Sequence, residues 1–387
     1  MTASASPSTL PPLLPEEEAH SLAVTRMIRE RIADAGGWLP FEAFMELALY
    51  APGLGYYSAG ARKIGAGGDF TTAPEISDLF SLCVARQCAE VLAQTGGSIL
   101  ELGAGTGRMA ATVLEHLASL DALPERYAIL EVSADLRDRQ RMRIEQLPES
   151  LQRRVVWFDT LPVQPMRGVI LANEVLDALP CHRLAVANGR VLASGVSAGE
   201  ASALVERERP ADAELAAEWN RITRDLPYEL PDGYRTELCL RVAPWIASLG
   251  DTLERGVMLL FDYGLPRAHY YHPQRAEGTL RCHFKQRAHD NPYINVGVQD
   301  ITAWVDFTRV AEAADAALLG VHGFATQAAF LLGLGIEGLV THPRLASQAR
   351  QLLMPGEMGE AFKAMALTRG FDERLSGFSV QDLRHLL

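Results

Sequence analysis

The chain has 387 residues, 48% hydrophobic and 22% charged, an ordinary composition for a globular protein of one large domain or two modest ones. A formal net charge of −12 argues against general affinity for nucleic-acid backbones, which needs clustered Lys and Arg. Five cysteines without paired spacing do not make a disulfide framework, and neither Cys83 with Cys88 nor Cys181 beside His182 has metal-ligand spacing, so no metal is expected. His269 and His272 lie in a polar stretch without supporting acids and do not change that. No apolar run approaches the ~18 residues of a membrane helix. Residues 1–15, rich in Ala, Ser, Thr and Pro, lack a charged leader region and read as a disordered tail, so the expected location is a reducing cytoplasm.

In chain order, Glu16 to Ala35 reads as a helix with Leu22, Ile28 and Ile32 as apolar points, stopped by Gly36-Gly37. Pro40 opens a second helix carrying Phe41, Phe44, Met45 and Leu49. Pro52 to Tyr57 is a turn with an aromatic pair, and a loop runs on to Gly68. The segment Asp69-Phe70-Thr71-Thr72-Ala73-Pro74-Glu75-Ile76-Ser77 then precedes a long helix to about Leu92. A helix cap accounts for one threonine and Glu75, but not for the glycine-rich approach before them.

Ser98 to Gly107 is the stretch on which the chain is organised. A short apolar run ends at Glu101-Leu102; Gly103, Gly105 and Gly107 then alternate with Ala104 and Thr106, and a helical pattern follows from Arg108 to Leu117. This is a buried strand, a tight turn and a helix N-terminus, where backbone without Cβ atoms can approach a ligand closely. A dinucleotide fingerprint places its third glycine one residue later, where this chain has Arg108. The Glu101 carboxylate would repel a pyrophosphate but tolerate a cationic cofactor with an amino-acid part, which points to S-adenosylmethionine (SAM).

Tyr127 to Leu130 is a second strand ending at Glu131, the position from which a carboxylate grips ribose hydroxyls in a doubly wound fold. A helix (Leu136 to Leu147) and a third strand (Val155 to Phe158) lead to Asp159, a candidate adenine contact. The fourth strand, Gly168 to Ala172, delivers Asn173-Glu174-Val175-Leu176-Asp177-Ala178-Leu179-Pro180. Ligands of open α/β sheets sit at the carboxyl ends of the strands, so Asn173 and Glu174 face the reacting centre.

After His182 the alternation breaks. Arg183 to Val186, the Asn188-Gly189 turn and Arg190 to Val196 form a hairpin, followed by a strand at Ala203 to Glu206 and an amphipathic helix from Pro210 to Arg224. Leu238 to Leu249 is a helix and Gly256 to Gly264 a fifth strand; the following polar stretch is too long for a connector and reads as a lid or binding loop. A helix (Asp300 to Ala314), a strand (Leu318 to Val321), two helices (Thr326 to Leu334, Ala346 to Leu353) and a last strand (Phe362 to Leu367) complete the chain. The expected division is an N-terminal helical region over 16–97, a cofactor-binding core over 98–180, an inserted cap over 181–250 and completion of the core sheet over 251–387, with a substrate loop over 264–298.

Asp69 to Ser77, Glu101 to Gly107, Asn173 to Ala178, Phe261-Asp262-Tyr263-Gly264, Gly278-Thr279-Leu280-Arg281, Gln299-Asp300-Ile301-Thr302 and Val305-Asp306-Phe307, in that order, resemble the MidA family of SAM-dependent methyltransferases, over roughly residues 40–370. The resemblance implies an α/β class I methyltransferase fold, a Rossmann-like doubly wound sheet with an N-terminal helical extension and an inserted β-hairpin/helical subdomain. It implies SAM as cofactor, with Gly103, Gly105 and Gly107 at the methionine part, Glu131 at the ribose, and Thr71 and Thr72 closing the pocket. Pro74, Glu101, Ala104, Asp159 and Asn173 complete the expected cofactor contacts. The family's mitochondrial members are assembly factors for respiratory complex I, and its eukaryotic members resemble protein arginine methyltransferases. The implied partner is a protein with an accessible arginine, a complex I subunit among the options, with a homodimer as one option for the assembly. Tyr270-Tyr271-His272-Pro273 and Cys282-His283-Phe284 lie where the family is expected to vary, which leaves the acceptor open.

A guanidinium acceptor needs carboxylates for bidentate hydrogen bonding and for the departing proton. Glu174 is the first choice, with Glu75 and Asp177 as partners and Asn173 aligning substrate or cofactor. The competing readings make Glu174 the cap of a helix that it begins and Asp177 a brace of the following turn. Two other functions share the cofactor motifs: a small-molecule O- or N-methyltransferase, and a SAM-binding assembly factor without catalysis.

Overall fold

The computed structural model describes residues 10–59, 71–200 and 203–387. Residues 1–9 of the expected tail, most of the loop to Gly68, and Asp69 and Phe70 lie outside the described residues. The core sheet has seven strands in series, β1 (Ser98–Leu102), β2 (Tyr127–Leu130), β3 (Val155–Phe158), β4 (Met166–Asn173), β5 (Leu253–Leu265), β6 (Gly320–Thr326) and β7 (Phe362–Arg369), and an eighth, short strand (Val305–Asp306) that pairs with the end of β5. The spatial order of the seven is β3-β2-β1-β4-β5-β7-β6, with β7 antiparallel to both neighbours and the other pairs parallel.

Both faces of this sheet are covered, so its strands are apolar throughout rather than alternating with polar residues. Ile99, Val169, Leu171, Val257 and Leu259 pack on one side with helices Asp78–Thr95 and Arg108–Ser119. Leu100, Ile170, Ala172, Met258 and Leu260 pack on the other with Val242–Thr252 and Phe307–Ala316. Helices alternating over two faces produce the doubly wound class I methyltransferase architecture.

A column of close approaches crosses the amino-terminal ends of three strands. Ser98, Gly168 and Gly256 are register partners across β1, β4 and β5. A Cβ on Gly168 (φ +119°) would lie 2.1 Å from the Ser98 carbonyl oxygen, and one on Gly256 (φ +146°) 1.9 Å from the Gly168 oxygen. No other residue fits either place.

The second sheet runs Leu39–Pro40, Arg190–Ala198, His182–Ala187, Arg235–Leu238, with Leu204–Pro210 added on Arg190–Ala198. The Asn188-Gly189 turn joins two of its strands. The N-terminal helices lie against it: Val24, Ile28, Phe41, Phe44, Met45 and Leu49 share a core with Val196 and Leu204. Helix Ala213–Arg224 is tied to the core through a chain of ions. Arg221 reaches Glu218 and Glu312 at 2.8 and 2.9 Å, Arg267 reaches Glu312 at 2.6 Å and Asp306 at 3.3 Å, and Arg309 pairs with Glu218. Bidentate, partly buried guanidinium pairs of this kind hold far more firmly than isolated surface pairs.

Three segments differ from the sequence expectation. The stretch expected as a loop to about Val298 carries a helical turn (Arg267–Tyr270) and a hairpin (Arg281–Phe284 with Arg287–His289) that pairs with Asp300–Thr302. The helix expected from Asp300 begins instead at Phe307, because Asp300–Thr302 and Val305–Asp306 are extended and the Asp306 carboxylate caps the N–H groups of Thr308 and Arg309. Leu238 ends a strand rather than opening a helix, which starts at Val242. In each case pairing with distant chain overrode the local sequence pattern.

The glycine column gives a stability test. Gly168→Ala combines positive-φ strain with a clash against backbone that no rotamer change relieves, and should cost about 3 kcal/mol. Gly189→Ala, at a φ of +69° with open space around it, should cost about 1 kcal/mol. Scanning calorimetry of the two variants should rank them in that order.

Candidate active site

A cavity of ≈ 450 Å³ opens at the carboxyl ends of β1, β2 and β4. Of the residues expected at a site, Thr72, Pro74, Glu75, Glu101, Gly103, Ala104, Gly105, Glu131, Asn173 and Glu174 all line it. Thr71, Gly107, Asp159 and Asp177 are not on its wall. Thr71 is exposed. Gly107 packs against Gln140, which a Cβ would meet at 3.1 Å. Asp159 stands 85% exposed in an ion pair with Arg137 at 2.8 Å, and Leu161 lines the cavity instead. Asp177 is buried behind the wall.

The glycine turn is built as its spacing requires: Gly103, Gly105 and Gly107 all have left-handed backbone, at φ of +63°, +53° and +77°. One side chain secures it. Gln140 donates from Nε2 to the Gly105 carbonyl (3.0 Å) and to Glu131 Oε2 (2.9 Å), while its Oε1 accepts from the Trp157 indole (3.0 Å). Glu131 Oε1 accepts from the Ser133 N–H at 2.9 Å, and burial raises its pKa despite these donors. Glu101 accepts from the Tyr127 hydroxyl at 2.7 Å, and burial pushes it up to about 7. On the other side of the turn, the Thr106 hydroxyl donates to Glu75, whose carbonyl accepts from Arg108 at 2.8 Å.

Glu174 is held in an unusual way. Its φ of +54° is a left-handed conformation that a side-chain-bearing residue keeps only under constraint. Its N–H donates to the Phe261 carbonyl at 2.8 Å, and Asn173 Nδ2 donates to its Oε1 at 3.1 Å. No helix begins here: residues 174–180 are bends and turns, so the helix-cap alternative is set aside. The turn is braced by Asp262, which accepts from the N–H groups of Leu176 (2.9 Å), Asp177 (3.2 Å) and Tyr263 (2.9 Å). Asp177 accepts from the Tyr263 hydroxyl, and burial moves it up to about 6. Burial, with Asp177 nearby, pushes Glu174 up to about 8.

The wall residues that carried no assignment from sequence include two tyrosines. Tyr50 and Tyr57 line the cavity, stacked at 5.5 Å and 21°. The Tyr50 hydroxyl donates to the Ala178 carbonyl at 2.9 Å, and that of Tyr57 to Asp300 Oδ1 at 3.0 Å. Tyr50 sits on the buried-patterned helix Phe41–Tyr50 and reads locally as core; only its polar tip hinted otherwise. Trp245, Ser248 and Leu249 close another side from helix Val242–Thr252. Among the described residues there is no cluster of three or more metal-ligating side chains.

The raised Glu174 has a consequence for stability. Between its ordinary value of 4.5 and about 8 the folded protein keeps a proton that the unfolded chain releases, so this group's contribution to stability falls as pH rises through that window. Glu174→Gln removes the buried charge. The stability of this variant relative to the unaltered protein should rise between pH 5 and 9 by roughly 2 kcal/mol or more, read from denaturant titrations at each pH. A difference independent of pH would contradict the assignment.

Comparison with known proteins identifies the family. Residues 83–325 match the model of a family described as S-adenosyl-L-methionine-dependent methyltransferase. The crystal structure of a Burkholderia thailandensis protein bound to S-adenosyl-homocysteine is 40% identical and superposes with a TM-score of 0.93, over 98% of this chain and 100% of that one. Among curated proteins, the Drosophila melanogaster mitochondrial protein arginine methyltransferase NDUFAF7 homolog is 28% identical, across 92% of this chain and 86% of its own length. The human mitochondrial protein arginine methyltransferase NDUFAF7 is 26% identical, across 89% and 83%. These relatives overturn the expected cytoplasmic location, since they are named as mitochondrial. A cellular address is read by receptors from sorting segments, and bulk composition does not encode it. The chain belongs to the MidA family of class I methyltransferases, enzymes whose methyl donor is SAM.

Proposed function

We propose that the chain is a protein arginine N-methyltransferase, with Glu174 as the group that binds the guanidinium and accepts its departing proton. The observation that carries this reading is the position of Glu174 at the carboxyl end of β4, fixed on the cavity wall by its N–H bond to the Phe261 carbonyl and by the Asn173 amide. The names of the curated relatives support the acceptor class.

In this reading the cofactor occupies the side of the cavity formed by the glycine turn. The backbone of Gly103 to Gly105 approaches the methionine part, Glu131 takes the ribose hydroxyls, and Leu130, Val132, Leu136 and Leu161 supply an apolar slot for the adenine. Thr72, Pro74 and Glu75 close the pocket from the N-terminal side. SAM supplies an electrophilic methyl group on a sulfonium. With the cofactor bound, Glu174 and Asn173 would orient the guanidinium nitrogen toward the donor methyl group, and Glu174 would accept the proton displaced from that nitrogen as the methyl group is transferred. Asp177, behind the wall and bonded to Tyr263, holds the turn that presents Glu174. A respiratory complex I subunit is the first acceptor to test, from the family resemblance.

The experiment is transfer of labelled methyl from SAM to proteins of a mitochondrial extract, with mass spectrometry of arginines in complex I subunits. Glu174→Gln should lower kcat at least ~10²-fold while leaving SAM affinity within about three-fold. Label reaching only small molecules would favour the small-molecule reading; no transfer with SAM still bound would favour a non-catalytic assembly factor. For the active enzyme, kcat/KM should climb with pH up to about 8, where Glu174 becomes a carboxylate, and then level off.

A further inference from the structure

The cavity that Glu174 lines also has an aromatic pair, Tyr50 and Tyr57, on its wall. Tyr50 and Tyr57 are tied to the elements that carry the acid side of the cavity: one to the Ala178 carbonyl in the turn after Glu174, the other to Asp300, whose charge contributes to the rise of the Glu174 carboxyl. Both rings are stacked and partly accessible on the cavity wall, and burial and the neighbouring acids hold both hydroxyls protonated. The same end of the molecule concentrates carboxyls, with Asp177 and Asp262 behind Glu174. Among the described residues the one basic side chain on the lining is Arg108, and its guanidinium is engaged by the Glu75 carbonyl and Asp78. An uncharged acceptor leaves those carboxyls uncompensated, whereas a compact ammonium makes poor use of a flat ring. A planar, weakly hydrated cation suits both walls.

We propose that the Tyr50–Tyr57 pair is the specificity element of the acceptor site, selecting a planar cation by ring contact while Glu174 takes its N–H groups. The proposal rests on the arginine reading above and deepens it: it assigns discrimination to two positioning residues of the N-terminal extension rather than to the core sheet. A ring–cation contact in a desolvated site is worth about ten- to thirty-fold in affinity.

The test compares three peptides of one sequence bearing arginine, citrulline or lysine, titrated into the full chain saturated with S-adenosyl-homocysteine. Citrulline keeps the plane without the charge, and lysine keeps the charge without the plane. Arginine should bind at least about ten-fold tighter than either. Tyr50→Leu and Tyr57→Leu should reduce that preference to within about three-fold and raise KM for the arginine peptide about ten-fold, with S-adenosyl-homocysteine affinity unchanged; Tyr→Phe at either position should restore the preference. Citrulline binding as tightly as arginine overturns the proposal, as do leucine variants that keep the preference or lose cofactor affinity in parallel. If the leucine variants do not fold, the ultraviolet difference spectrum decides. The arginine peptide should perturb tyrosine absorption in the unaltered protein but not in the Tyr50→Phe/Tyr57→Phe double variant, and persistence of the signal there overturns the proposal. If the arginine peptide is neither bound nor methylated, the arginine reading fails; if it is methylated and the tyrosine variants keep the preference, only this inference fails.

Discussion

The turn that carries Glu174 hangs on one buried carboxylate. Asp262, the acid at the end of β5, accepts from the N–H groups of Leu176, Asp177 and Tyr263, and so satisfies backbone that has left β4 without entering a helix. An irregular buried segment is costly unless such groups are paired. With Asp262 in place the turn can hold Glu174 in left-handed backbone and bury Asp177 against Tyr263. Burial pushes Glu174, Asp177 and Asp262 all upward, and for Glu174 and Asp262 repulsion from the neighbouring acids adds to the rise. An incoming cation relieves that repulsion.

The cofactor side depends on a different economy of parts. Gln140, on the helix after β2, bonds both the Gly105 carbonyl and the Glu131 carboxylate, so the turn and the acid are positioned by the same amide. Thr106 and Arg108 join the glycine segment to Glu75 and Asp78 in the N-terminal region. The cavity is thus enclosed by elements far apart in the chain but bonded to one another.

What could be read from sequence follows from how local each requirement is. Gly103, Gly105 and Gly107 were legible because positive φ leaves a mark that residue type alone reveals. Glu131 and Glu174 were legible because strand ends of an open sheet converge on one place. Gln140, Tyr50 and Tyr57 were not, since each looks like an ordinary helical or turn residue until distant chain closes over it. Asp159 illustrates the opposite error, an acid at a strand end that turns outward to Arg137. The short strands around Arg281 and Asp300 were hidden because each exists only through the other. Cellular location left no trace in composition.

The glycines at the far end of the sheet acquire a second meaning here. Ser98, Gly168 and Gly256 meet at the amino-terminal ends of β1, β4 and β5, with Gly168 about 16 Å from Asn173 at the carboxyl end of β4 at ~3.3 Å per residue. Because three parallel strands touch there backbone to backbone, none can slide along its neighbour. The heights at which Glu101 and Asn173 emerge on the opposite rim are therefore set from below, as the legs of a table set its top. A residue that forced those strands apart would disturb the levelling of donor and acceptor without touching either.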